Sequence, residues 1–204
     1  DMAFISHLCA VKYNFPILHF FDGFRTSHEY QKIDELTDEE MLKLFPKLSQ
    51  LKLKKNAISS DNPKMFGTAQ NPDVFFQNRE AANRDYSDWT ANFLKELEDF
   101  EKITGRKYAP FEYYGKKNAK NIIVSMGSSV NTIRETLVNL DDKTGLIAVR
   151  LYRPFDEKLF LSILPNSVKN ICVLDRTKES GANAPLFLDV VSAIQKSNRK
   201  IKVI

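Results

Sequence analysis

The residues best equipped for chemistry sit in one stretch, DGFRTSHE, residues 22–29. Arg25 offers a guanidinium fork that can hold a carboxylate or a phosphate through two hydrogen bonds. His28 and Glu29 are neighbours and could share a proton near neutral pH. The competing reading is a structural turn whose polar groups satisfy backbone or cap the next helix, and spacing alone favours it. A second candidate is Gly127-Ser128-Ser129, between an apolar run and a helical pattern. A helix N-terminus presents free N–H groups and the positive end of a dipole, so an anion could dock there. There is no GxGxxG and no Walker lysine, which leaves a plain helix cap as the simpler account. Without GxSxG there is no nucleophile elbow, so a hydrolase has little support. The third candidate is Asp175-Arg176-Thr177-Lys178-Glu179, directly after an apolar run. Its alternating charges could line a site or an interface, or could pair among themselves.

The other titratable residues argue for structure. His19 lies in an apolar run and His7 among apolar residues of a helical pattern; both read as satisfied core histidines. Three scattered histidines make no metal site by spacing. Cys9 and Cys172 lie in apolar runs and read as buried free thiols of a reducing compartment, with a disulfide as the alternative. No CxxC pair is present, so spacing offers no zinc or iron–sulfur site. The 204 residues are 43% hydrophobic and 27% charged, which excludes a disordered or fibrous chain. The net charge of +4 is small and evenly spread, so no nucleic acid partner is expected. The tight basic cluster Lys52, Lys54 and Lys55 reads as a solvated loop or helix end. No apolar run approaches the ~18 residues of a membrane span, and no secretory signal opens the chain. The default compartment is cytoplasmic, with an organelle left open.

These groups must be held by elements that the pattern suggests. Met2, Ile5, Leu8 and Cys9 recur at helical spacing with no cap before them. Residues 15–21, FPILHFF, form a continuous apolar run ending at Asp22-Gly23, as in a strand buried on both faces. Thr37 with Glu40 three residues on is a capping box, opening a short helix interrupted at Pro46. Residues 55–73 read as an extended loop. A long helical pattern begins at Val74, carries the stripe Phe93, Leu94, Leu97 and Phe100, and stops at Gly105. Residues 108–115 read as an aromatic connector. Then strands at 121–126, 145–151, 171–175 and 201–204 alternate with three helical patterns. The first of these places Val130, Ile133, Leu137 and Leu140 on one face. That alternation is the doubly wound α/β arrangement. A boundary near residues 104–115 divides the chain into 1–107 and 108–204.

Several stretches resemble the pyruvate:ferredoxin (flavodoxin) oxidoreductase family, including its NADP-linked branch. They are HFFDGFRTSHEYQKI (19–33), GTAQNPDVFFQNREAAN (67–83), TGRKYAPFEYYG (104–115), IIVSMGSS (122–129), GLIAVRLYRPF (145–155) and VLDRTKESGA (173–182). They follow the family's order over nearly the whole chain. The resemblance implies an α/β fold: the latter part of a thiamine-pyrimidine-type domain at 1–107, then a doubly wound domain like the transketolase carboxyl-terminal domain at 108–204. It implies a thiamine-diphosphate enzyme that oxidatively decarboxylates pyruvate with coenzyme A to acetyl-CoA and CO2. The parent would carry Mg2+ and [4Fe–4S] clusters and pair as a homodimer. Electrons would pass to ferredoxin, flavodoxin or a fused flavoprotein module.

The departures from the family pattern are as informative as the matches. The stretches carrying the family's activating glutamate, its pyruvate-holding residues, its GDG…N signature and its cluster cysteines have no counterpart here. The chain therefore reads as a segment that depends on the remaining domains of its parent, with no catalytic residue and no cofactor bound by the segment alone. By resemblance, Asp22, Arg25, Thr26, His28, Glu29, Gln70, Asn71, Ser128, Asp175 and Arg176 are expected to shape cofactor or subunit interfaces. Ser180 stands where the family's DRTKEPG has proline, which loosens a turn. The alternative is a non-catalytic scaffold of the same fold, like the decayed domains fused to fungal sulfite reductase subunits.

Overall fold

A computed structural model describes residues 1–47, 57–63, 69–139 and 143–204. The chain forms two compact units, one from residues 1–20 and 31–108, the other from 21–30 and 109–204. The basic cluster at Lys52, Lys54 and Lys55, part of the 55–73 loop, and Leu140 lie outside the described residues.

In the first unit, helix α1 (Met2–Tyr13) buries Ile5, Leu8 and Cys9 and ends at Asn14 in the left-handed conformation, φ 53°. The next residues correct the sequence reading. Residues 15–21 form no strand, and Leu18, Phe20 and Phe21 are exposed. A strand needs a neighbour to take its backbone hydrogen bonds, and apolar content cannot supply one. Among the described residues, the first unit offers only the isolated bridge between Ser59 and Asn62. His19 is therefore an exposed residue and not a core histidine, and His7 is likewise exposed, its Nδ1 on the Ala3 carbonyl at 2.8 Å.

The capping box forms as read. Thr37 Oγ1 accepts from the Glu40 N–H at 3.2 Å, and the Thr37 N–H donates to the Glu40 carboxylate at 2.9 Å. The helix it opens spans Asp38–Leu44 and stops at Phe45, ahead of Pro46. The long pattern expected from Val74 starts two residues earlier and is broken. It comprises helices at Pro72–Ala81, Asn83–Ser87 and Trp89–Thr104. Pro72 is tolerated at the first helical turn because its missing N–H has no intrahelical partner there. The last of these helices buries Trp89, Phe93, Leu97 and Phe100 and ends at Gly105, φ 73°. It also buries Glu96, a charge the stripe conceals. α1 and Asp38–Leu44 pack against it.

The second unit is built on a five-stranded sheet among the described residues, in the order β1-β3-β2-β4-β5. These are Phe111–Tyr114 (β1), Asn121–Ser125 (β2), Thr144–Val149 (β3), Asn170–Val173 (β4) and Lys202–Val203 (β5). β2 to β5 are parallel; β1 joins β3 antiparallel, with Phe111 opposite Val149. The expected aromatic connector is thus partly an edge strand. Its aromatic residues suit a pleated, half-buried surface.

Ser129–Val138 follows β2, Glu157–Ile163 follows β3 and Pro185–Lys196 follows β4, all helical. The last two pack together over Ile122, Val124, Ile147 and Ile171 in the main core. β2 alternates as its register demands: Ile122 and Val124 enter that core, while Ile123, between Leu146 and Cys172, faces the other way. Asp156 caps the second of these helices, accepting from the Leu159 N–H at 2.9 Å.

Candidate functional site

Parallel doubly wound sheets bind ligands at the carboxyl ends of their strands, where neighbouring connections leave in opposite directions. Here β2 connects to β3 on one side, and β4 connects to β5 on the other. The crevice between the ends of β2 and β4 is that switch point. Three of the expected site residues meet in it.

β2 ends at Ser125, and Gly127 and Ser128 follow, Ser128 as the N-cap of the helix Ser129–Val138. The Ser128 N–H donates to Asp22 Oδ2 at 2.6 Å. Arg176, from the loop after β4, forms an ion pair with the other oxygen of Asp22. Asp22 reaches the crevice because residues 21–30 belong to the second unit. The helix terminus where an anion could dock is thus occupied by a side chain of the chain itself, in the manner of a cap. The Asp22 side chain is 15% exposed, against 69% for Arg176. Hydrogen bonding from Ser128, with the Arg176 guanidinium beside it, holds the Asp22 carboxyl below its usual range. The exposed ion pair contributes roughly 0–1 kcal/mol, and the carboxylate at the helix N-terminus roughly 0.5–2 kcal/mol.

Gly127 leaves room for this contact. It has φ 77°, and a Cβ there would lie 2.7 Å from Asp22 Oδ2. Asp175 organises the facing loop. Its Oδ1 accepts from the Thr177 N–H at 3.0 Å and its Oδ2 from the Leu186 N–H at 2.7 Å, capping Pro185–Lys196 from ten residues before that helix begins.

The other candidates are placed as follows. Arg25 opens the short helix Arg25–His28. Thr26 is half-buried on it. His28 Nδ1 lies 2.7 Å from the Phe24 carbonyl, which makes it the donor nitrogen to that backbone oxygen. His28 and Glu29 are exposed. Gln70 and Asn71 lie in the first unit, both exposed; the Asn71 carbonyl accepts from the Phe75 N–H at 2.9 Å as Pro72–Ala81 begins.

Two carboxylates escaped the sequence reading. Glu96, 1% exposed, accepts from Lys12 at 2.7 Å and from the Tyr13 hydroxyl. Its position three residues after Phe93 and four before Phe100, inside the apolar stripe, was the available signal. Glu112 on β1 takes a bidentate fork from Arg150 at 2.9 and 3.0 Å. Burial pulls Glu112 upward, but Arg150 and the Tyr114 hydroxyl outweigh it and hold the carboxyl below its usual range. Nothing in the order of residues 108–115 marks it, since the pairing needs β1 beside β3. The cysteines are free thiols, Cys9 buried and Cys172 half-buried.

The fold and this crevice define an α/β protein whose doubly wound unit closes its switch point with its own aspartate. Two family models match it. Residues 1–96 match the pyruvate flavodoxin/ferredoxin oxidoreductase, thiamine diP-binding family, and residues 119–204 match pyruvate:ferredoxin oxidoreductase core domain II. The chain belongs to the pyruvate:ferredoxin/flavodoxin oxidoreductase family. It is 46% identical to a pyruvate:ferredoxin oxidoreductase of Moorella thermoacetica over 100% of its own length and 18% of that protein's. It is 44% identical to a probable pyruvate-flavodoxin oxidoreductase of Escherichia coli over 97% of its length and 17% of that protein's. It thus spans less than a fifth of these relatives. A solved 2-oxoglutarate:ferredoxin oxidoreductase of Magnetococcus marinus aligns over 83% of the chain with TM-score 0.41 and 17% identity.

Proposed function

We propose that the chain works as part of a thiamine-diphosphate-dependent enzyme that oxidatively decarboxylates pyruvate with coenzyme A to acetyl-CoA and CO2. Electrons leave to ferredoxin, flavodoxin or a fused flavoprotein module. The observation that carries this reading is identity of 44–46% over 97–100% of the chain.

Neither the cysteines nor the helix terminus at Ser129 fits the cofactors that such an enzyme uses. A [4Fe–4S] cluster takes about four thiolates. This chain has two cysteines, and burial pushes the Cys9 thiol up to about 12. A diphosphate at the N-terminus of Ser129–Val138 would meet the Asp22 carboxylate already there. We assign Mg2+, the clusters and the diphosphate to the remaining domains of a larger parent, which we read as a homodimer of the cytoplasm. The contribution of this segment is architectural. Its second unit anchors residues 21–30, and no catalytic residue is assigned to it.

A non-catalytic scaffold is the second reading. It draws support from one observation: Asp22, a residue of the family motif, is engaged in packing within the second unit. Two measurements decide between the readings. The natural polypeptide is sized by blotting source extract with an antibody to residues 55–73, and the purified protein is assayed for reduction of a viologen dye. A polypeptide several times longer than 204 residues, with reduction dependent on both pyruvate and coenzyme A, is the expected result. A large polypeptide inert in that assay would establish the scaffold reading.

A further inference from the structure

We infer that the switch-point crevice of the second unit is a docking site for a carboxylate supplied in cis, and that Asp22 is the positioning residue that seats residues 21–30 in it. The donors come from two elements and converge on one side chain. The Ser128 N–H reaches Asp22 Oδ2 at 2.6 Å from the N-cap of the helix after β2, and Arg176 pairs with Oδ1 from the loop after β4. The third wall is an absence of side chain, since a Cβ on Gly127 would lie 2.7 Å from Asp22 Oδ2. The loop that brings Arg176 is fixed by the preceding residue, because Asp175 accepts from Thr177 and Leu186 N–H groups at 3.0 and 2.7 Å.

This is the place where a doubly wound sheet takes an anionic ligand. Here the sheet's donors are engaged by a residue remote in sequence, 106 positions before Ser128. The helix Arg25–His28 starts just beyond Asp22 and is carried on the same seat. A free anion must displace Asp22 to enter. The alternating charges after β4 thus have a divided purpose: Asp175 shapes the loop, and Arg176 receives the incoming segment. Asp22, Ser128 and Arg176 all lie in the second unit, so this seat is independent of the reaction the parent performs.

The test uses the full-length natural protein as wild type, Asp22→Ala, Asp22→Asn and Arg176→Ala, followed by hydrogen–deuterium exchange. Peptides covering residues 21–30 should exchange about tenfold faster in Asp22→Ala, while β2 and β4 keep their protection. Asp22→Asn should fall between, because its amide oxygen still accepts from Ser128 but no longer pairs with Arg176. Arg176→Ala should match Asp22→Asn. Acetate is the probe for the vacated crevice, and it should raise the melting midpoint of Asp22→Ala but not of wild type. If Asp22→Ala does not fold, the near-isosteric Asp22→Asn carries the exchange test. Unchanged exchange of residues 21–30 in Asp22→Asn and Arg176→Ala overturns the inference. So does a loss of protection spread evenly through the second unit, or acetate that stabilises wild type as much as Asp22→Ala.

Discussion

Lys12 Nζ lies 2.7 Å from the carboxylate of Glu96, a side chain only 1% exposed. Eighty-four residues separate the two, and the pair joins α1 to the helix Trp89–Thr104. The Tyr13 hydroxyl donates to the same carboxylate. Burial and this hydrogen bond to Glu96 push the Tyr13 hydroxyl well above its usual range. Breaking a buried pair costs more than the pair is worth, because the surviving charge stays desolvated. Lys12, 29% exposed, can turn to water when Glu96 is removed; Glu96 has no such escape. Lys12→Met should therefore cost about 3–5 kcal/mol, and Glu96→Leu less. The double variant Lys12→Met/Glu96→Leu should be more stable than Lys12→Met alone. Urea denaturation of the 204-residue chain, followed through its single tryptophan, Trp89, reports this unit. Additive losses in the double variant would contradict the coupling.

The same region silences a thiol. Burial, then the Glu96 charge, pushes the Cys9 thiol up to about 12. At pH 8 only about one molecule in ten thousand would carry the thiolate, the reactive form. A thiol reagent should label the half-buried Cys172 first and reach Cys9 only as the protein unfolds. Peptide mapping of singly labelled native protein checks the order. Early labelling of Cys9 would mean that α1 opens readily.

Acid should find the second unit's carboxylates. Asp22 and Glu112 are both held below their ordinary values of 3.8 and 4.5. For a depressed pKa the unfolded chain binds protons first, so the stabilisation is complete above the unfolded values. It fades as pH falls through them towards the lower folded values. The urea midpoint should thus decline on acidification below about pH 4.5, with part of the decline missing in Asp22→Asn and another part in Glu112→Gln. A midpoint with the same acid dependence in all three proteins would exclude these two groups as the source.

Local signals were legible and relational ones were not. The capping box at Thr37 and Glu40, the stop at Gly105 and the alternation of β2 to β5 with helices all rest on neighbours within a few residues. Residues 15–21 failed as a strand because a strand is completed by a partner, which a run of Phe, Ile and Leu cannot announce. The break of the long helix at Ala82 and Asp88 carries no proline or glycine to mark it. In the crevice, the anion-binding character of Gly127-Ser128 could be read from helix physics. The identity of the anion could not, since Asp22 arrives from a segment more than a hundred residues earlier. Glu96 shows the reverse case: the stripe was visible, and the charge buried within it was not.

Two glycines of almost equal backbone conformation separate strain from crowding. Gly105 has φ 73° and Gly127 φ 77°, both in the region that L side chains adopt at a cost of about 1–2 kcal/mol. Around Gly105 an added Cβ meets nothing within 4 Å. Gly105→Ala should therefore lose about 1 kcal/mol and leave the helix before it intact. At Gly127 the same methyl would stand 2.7 Å from Asp22 Oδ2 and 3.3 Å from its carboxyl carbon. Gly127→Ala pays the backbone strain and must also push the Asp22 carboxylate off the Ser128 N–H. Its total loss should reach about 2–3 kcal/mol, the strain plus the lost charge-assisted hydrogen bond. Combining it with Asp22→Ala should then add little, because the clash and the bond disappear together. Urea denaturation of Gly105→Ala, Gly127→Ala and the double variant Gly127→Ala/Asp22→Ala gives all three numbers. Equal losses for the two glycine variants would mean that Asp22 yields its place at no cost, and that strain alone explains glycine at position 127.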